Sequence, residues 1–259
     1  MKIVVLVKYV PEPTATWKFA PDLTLDRGAV EGRLSELDEY AVEQAARLQE
    51  AGTASEVVFL TVGPAKAVDG LRKALAIGGD SAVHVTDAAM HGSDALATSL
   101  VLAKALEKTG FDLVLTGMAS TDAEMSVVPS MVADRLGINQ ATFAGALSVE
   151  GGTVSIKRDS EGAVLEVSTA LPAIVSITDT NPEARYPAFK AIMASKKKPV
   201  TTYSLADLGV DASSVGLAAA AVKVTSVTPT PARTAGTIVP DEGEGGAQLA
   251  EFLSSRGFV

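Results

Sequence analysis

The densest set of ligand-binding groups in the chain lies between Gly117 and Pro129, GMASTDAEMSVVP. Gly117 allows close backbone approach, Ser120 and Thr121 supply hydroxyls, and Asp122 and Glu124 supply carboxylates. Ser126 and Pro129 then open a helix whose free N–H groups and positive dipole end suit a phosphate. The same composition also fits a capped helix start behind a solvated acidic loop. A second stretch, NPEARYPAFKAIMASKKKP from Asn181 to Pro199, does a different kind of chemistry. Phe189, Ile192 and Met193 fall at the i, i+3, i+4 spacing of a helical turn, beside Lys190 and ahead of Lys196, Lys197 and Lys198. Apolar side chains beside a basic cluster suit docking onto another protein; the alternative is that Phe189 and Ile192 fill a local core and the lysines form a solvated helix end. Groups for turnover are scarce. There is no cysteine and there are two histidines; His84 lies in a strand-like run and reads as a packed histidine, and His91, in MHGSD, as a loop or cap residue. No nucleophile elbow, no GxxxxGK[ST] loop and no GxGxxG after the first strand is present, so the chain reads as a binding protein rather than a catalyst.

Composition narrows the partners. A formal charge of −9 and a pI near 4.8 argue against nucleic acid or an anionic membrane as the main partner. Without cysteine there is no disulfide framework or thiolate metal site. The first residues, MKIVVLVKYV, are too short and too soon interrupted for a signal peptide, and no run reaches the ~18 to 20 apolar residues of a membrane span. The expectation is a cytoplasmic protein without direct membrane insertion. At 259 residues, nearly half of them apolar, the chain can bury one large core.

The elements that must position these groups follow from periodicity. Lys2 to Val7 is a continuous β-branched run expected of a buried parallel strand, followed by a Pro-rich loop from Val10 to Thr14. Ser35 to Ala51 is a helix, with Ser35 and Asp38 as possible capping groups. Glu56 to Val62, Ser81 to Val85 and Leu113 to Thr116 read as strands; Ala65 to Ile77, Ser93 to Lys108 and the segment from Val127 to Leu136 read as helices. This alternation predicts a doubly wound α/β sheet, with ligands beyond the carboxyl ends of the strands. Three loops meet there: Leu6 to Tyr9, Val62 to Pro64, and Gly117 to Pro129. Ala146 to Val149, Thr153 to Lys157 and Val164 to Ser168, separated by Gly-containing turns, predict an antiparallel hairpin extension at about 144–170. Leu171 to Ile177 returns to buried-strand character. The domain then spans 1–224. Residues 225–259, rich in Pro, Gly and Thr, form an arm, with Ala247 to Leu253 as a terminal helix.

The motifs IVVLVKYVPEP, LDEYAVEQAARL, LTVGPAKAVDGLRKALAIGGDSAVHV, LVLTGMASTDAEMSVVPSMVADRLG, LPAIVSI, NPEARYPAFKAIMASKKKP and TAGTIVPDEGEGG recur in order and spacing in one family. On them the chain resembles, over essentially its whole length, the β subunit of electron transfer flavoprotein. The resemblance implies a Rossmann-like fold of the adenine nucleotide α-hydrolase type and a heterodimer with an α subunit, which the C-terminal arm embraces. It implies an FAD bound mainly by α and an AMP in β. Flavin dehydrogenases such as acyl-CoA dehydrogenases reduce the FAD, and a membrane quinone oxidoreductase reoxidises it; the subunit itself is a non-catalytic carrier component. AMP would lie against Leu6, the helix start at Ser35, Leu37 and Asp38, Val62, and the loop Gly117, Met118, Ala119, Ser120, Thr121, Asp122, Ala123, Glu124, Met125, Ser126, Val127 and Val128. The family's partner-docking loop matches Arg185, Tyr186, Phe189, Lys190, Ile192 and Met193, with Phe189 in the anchoring position usually held by leucine; the lysines behind match a basic patch, and Asp159 lies near an acidic position that influences motion of the flavin domain. One departure stands out: Ser126-Val127-Val128-Pro129 replaces a polar Asn-Gln-Thr-Gly run, losing side-chain donors for the phosphate. Two other readings remain open, an electron-bifurcating β subunit with a second FAD in place of AMP and a stand-alone adenine-nucleotide sensor.

Overall fold

A computed structural model describes residues 1–259 as two compact units, Met1–Thr225 and Ser226–Val259. In the first unit the chain runs β1 (Lys2–Leu6), β2 (Tyr9–Pro11), β3 (Gly32–Leu34), α1 (Glu36–Glu50), β4 (Glu56–Val62), α2 (Val68–Ile77), β5 (Ser81–Val85), α3 (Ala95–Thr109), β6 (Leu113–Gly117) and α4 (Val128–Leu136). It continues through β7 (Asn139–Ala144), β8 (Ala146–Glu150), β9 (Thr153–Ser160), β10 (Ala163–Ala170), β11 (Ala173–Ile177), α5 (Phe189–Ser195), β12 (Val200–Tyr203) and the single turn α6 (Gly216–Ala219). The second unit holds one helix, α7 (Gly245–Ser255), after a stretch without helix or strand.

Seven strands form one sheet in the order β12-β5-β4-β1-β6-β11-β7, and every neighbouring pair is parallel. Such a sheet needs helices on both faces, so its strands are buried on both and read as continuous apolar runs. Along β1, Ile3 and Val5 pack with Phe59, Leu71 and Leu115 on the side of α1 and α2. Val4 and Leu6 pack with Leu60, Val101, Val114 and Val132 on the side of α3 and α4. The chain winds from β1 out to β4 and β5, then returns through α3 to β6 on the other side of β1. This reversal opens a crevice at the carboxyl ends of β1 and β6.

The doubly wound core and the antiparallel sheet β8-β9-β10 stand as the periodicity predicts. Three features depart from it. β7 joins the main sheet against β11, although only Ala141 and Ala144 of it are buried, too few apolar residues to announce a strand. β12 is an edge strand, Val-Thr-Thr-Tyr, with no buried residue, and its place beside β5 comes from backbone pairing. The expected loop after β1 begins with β2, which pairs antiparallel with β3.

Candidate functional site

The site is assembled around two buried carboxylates at the crevice. Asp38, in the first turn of α1, accepts hydrogen bonds from the backbone N–H of Lys8 at 2.7 Å and of Gly117 at 3.2 Å. It therefore ties the loop after β1 to the end of β6. Burial pushes Asp38 up to about 7, against the pull of those two N–H groups and of Lys8, with Asp122 adding to the rise. Neither expected cap is made: Asp38 is turned inward to the two backbone donors, and the Ser35 hydroxyl, although at the N-cap position of α1, makes no cap hydrogen bond. The approach of α1 to β6 requires glycine, because a Cβ on Gly117 would stand 2.6 Å from Asp38 Oδ1 and 2.7 Å from the Leu37 carbonyl oxygen.

The second carboxylate, Asp122, has no exposed side-chain surface and lies between two cations. Lys8 Nζ donates to its Oδ1 at 2.8 Å and to Ser120 Oγ at 3.2 Å, and Arg27 Nη2 donates to its Oδ2. Burial alone would raise its pKa; Lys8 and Arg27 overcome that and hold it at about 2. Around this charge cluster two hydroxyls, Ser35 Oγ and Thr121 Oγ1, are buried with no hydrogen-bond partner in the protein. Orphaned buried hydroxyls are costly, and a polar ligand is one way to satisfy them.

Of the residues expected to bind a nucleotide, Ser35, Leu37, Asp38, Gly117, Ser120 and Asp122 are brought together by these contacts, and Leu6 and Val62 close the strands that open onto the crevice. Ala123, Glu124 and Met125 are exposed, and Ser126, Val127 and Val128 lead into α4. Glu124 and Ser126 hold φ of 51° and 56°, left-handed conformations that cost a non-glycine residue roughly 1 kcal/mol each. α4 starts without a side-chain cap and carries Pro129 in its first turn, so backbone N–H groups alone face any anion there. The sequence does not single out Lys8 or Arg27 as site residues. Lys8 lies in a candidate loop and was legible as a cation just past the first strand; Arg27 lies in a stretch without periodicity.

The second candidate region is displayed outward. Tyr186 is 100% exposed, Phe189 77%, Met193 47% and Ile192 39%, so α5 does not fill a local core. Its approach segment is bolted to α1. Arg185 donates from Nε and Nη2 to the two oxygens of Glu43 at 2.9 Å each, from its backbone N–H to Glu43 at 3.2 Å, and further to Glu50. Burial would push Glu43 up, yet Arg185 and Arg47 hold it at about 2, and Glu43 and then Glu50 raise Arg185 in turn. Arg185 is thus engaged inward while Tyr186, Phe189 and Lys190 face solvent. Lys198 is also committed, donating to the carbonyls of Leu75, Gly78 and Gly79 at the end of α2, which leaves Lys190, Lys196 and Lys197 exposed. Neither histidine lies in a catalytic arrangement. His84 is buried against the Gly63 carbonyl at 3.1 Å, and His91 meets Asp22 at 2.8 Å.

An all-parallel doubly wound sheet, a polar crevice at its switch point and a separate exposed apolar loop define a binding scaffold of the nucleotide-site type. A sequence profile of the electron transfer flavoprotein domain matches residues 22–208. The electron transfer flavoprotein subunit beta of Mycobacterium leprae (strain TN) is 43% identical over 263 residues, covering 99% of both chains, as is that of Mycobacterium tuberculosis (strain ATCC 25618 / H37Rv). The subunit beta of Megasphaera elsdenii is 31% identical over 264 residues, covering 99% of this chain and 97% of its own. The chain belongs to the electron transfer flavoprotein family, as a β subunit. That membership implies an α-subunit partner and a part in electron transfer rather than catalysis.

Proposed function

We propose that this chain is the nucleotide-stabilised docking half of an electron carrier. With its α subunit, which holds most of an FAD, it takes electrons from flavin dehydrogenases such as acyl-CoA dehydrogenases and delivers them to a membrane quinone oxidoreductase. FAD supplies the redox chemistry; the residues of this chain bind, orient and dock. The observation that carries the reading is the exposed loop of Tyr186, Phe189, Ile192 and Met193, held at its root by Arg185 on Glu43. A large apolar side chain presented on a rigid base suits insertion into a partner's pocket, with polar neighbours excluding water around it. The crevice residues fit AMP in chemistry: the unpartnered Ser35 and Thr121 hydroxyls can meet a ribose or phosphate, and the backbone N–H groups opening α4 can face an anion where side-chain donors are lacking. The test is stopped-flow reduction of the heterodimer by an acyl-CoA dehydrogenase at subsaturating concentration. Phe189→Ala slows it at least ~10-fold, as expected for losing a hot-spot anchor, with flavin content unchanged. Unchanged kinetics refute the anchor role.

A further inference from the structure

Between β2 and β3 the chain makes an excursion, Glu12–Glu31, in which no residue is buried. Its side chains reach three different loops at the carboxyl edge of the sheet. Arg27 meets Asp122 after β6, Asp22 meets His91 after β5 at 2.8 Å, and Glu31 meets Lys66 after β4 at 3.2 Å. A segment spanning that edge lies across the crevice. Two of its ties, Asp22–His91 and Glu31–Lys66, are exposed pairs that add little stability and weaken with salt, whereas Arg27 reaches a carboxylate with no exposed surface, so the excursion is held most firmly at Arg27.

Below the excursion, Lys8 and Arg27 flank the buried Asp122, with the second buried carboxylate, Asp38, bonded to the backbone of Lys8. Only Nη2 of Arg27 is committed to Asp122, and the side chain keeps 38% of its surface, so the rest of the guanidinium fork can reach a second anion. Beside this pair sits the buried, unpartnered Thr121 hydroxyl. We infer that Glu12–Glu31 is a strap forming the outer wall of the nucleotide site, and that Arg27, bridging Asp122 and the ligand's phosphate, selects a nucleotide over its uncharged nucleoside. The inference rests on the AMP reading above and adds to it a wall and a specificity residue.

The experiment measures AMP and adenosine binding to the full-length chain and to Arg27→Gln by calorimetry, and follows trypsin cleavage after Lys18, inside the strap, by mass spectrometry. Arg27→Gln weakens AMP about 10-fold, the loss of one charge-assisted contact, and leaves adenosine unchanged. AMP slows cleavage after Lys18 in the wild type, and Arg27→Gln speeds it. AMP affinity unaltered by Arg27→Gln, or cleavage equal with and without AMP, overturns the inference while leaving nucleotide binding intact. A wild-type chain that binds neither ligand refutes the AMP reading itself, and the inference falls with it.

Discussion

Asp38 and Asp122 show how the same residue type in one crevice is driven in opposite directions by its neighbours. Asp38, buried among backbone donors, titrates near 7 in the folded chain against 3.8 in the open one. The folded state therefore holds its proton more tightly, and the stability this group contributes, full below about pH 4, is lost as pH rises through about 7. Asp122 works the other way: its contribution is present above about pH 4 and lost as pH falls toward 2. Asp38→Asn should flatten the slope of the urea midpoint between pH 4 and 7, and an unchanged slope would show that Asp38 is not the titrating group. Gly117 permits no side chain for a steric reason. Gly117→Ala drives a methyl onto Asp38 and the Leu37 carbonyl, an overpacking that costs ~2 kcal/mol and should widen the crevice. A chemical-denaturation midpoint equal to wild type would contradict that placement.

Helix α1 links the two functional regions. Its first turn carries Asp38, bonded to the loops after β1 and β6, and its later turns carry Glu43 and Glu50, which hold Arg185 at the root of the exposed segment that carries Phe189. Glu43→Gln keeps the shape but gives up the charge that two arginines surround, so it should destabilise the chain by ~2 kcal/mol at neutral pH. Because Glu43 is held at about 2 in the folded state, the variant should also lose the acid sensitivity between about pH 4.5 and 2. An acid unfolding limb identical to wild type would sink that assignment. The elements themselves were legible where burial on both faces wrote an unbroken apolar run, as in β1, β4, β6 and β11. They were not legible where pairing rather than composition places the strand: β7, with two small buried residues, and β12, with none. Position alone marks Ser35 as a cap, but its hydroxyl makes no hydrogen bond to an N–H of the helix.

At the scale of the molecule, the sheet brings to one crevice residues that lie far apart in sequence, and the segment from Tyr186 into α5, tied to α1 by Arg185, displays its apolar side chains to solvent. The winding of β1, β4, β5 and β6 locates the crevice from the sequence, because the carboxyl edge of a doubly wound sheet is a topological consequence of strand order. The cation pair around Asp122 was not legible, since Arg27 arrives on an excursion with no core residue and no periodicity. Net charge acts at this scale too: on an acidic chain, Lys190, Lys196 and Lys197, exposed on and just after α5, make a local positive patch. If this subunit holds AMP while its α partner holds most of the flavin, the bound cofactors stand in a fixed ratio. The direct measurement is to purify the heterodimer, denature it, and quantify the released FAD and AMP by chromatography. One FAD and one AMP per heterodimer are expected. Two FAD and no AMP would contradict that reading in favour of a bifurcating carrier, and nucleotide without flavin would contradict it in favour of a sensor.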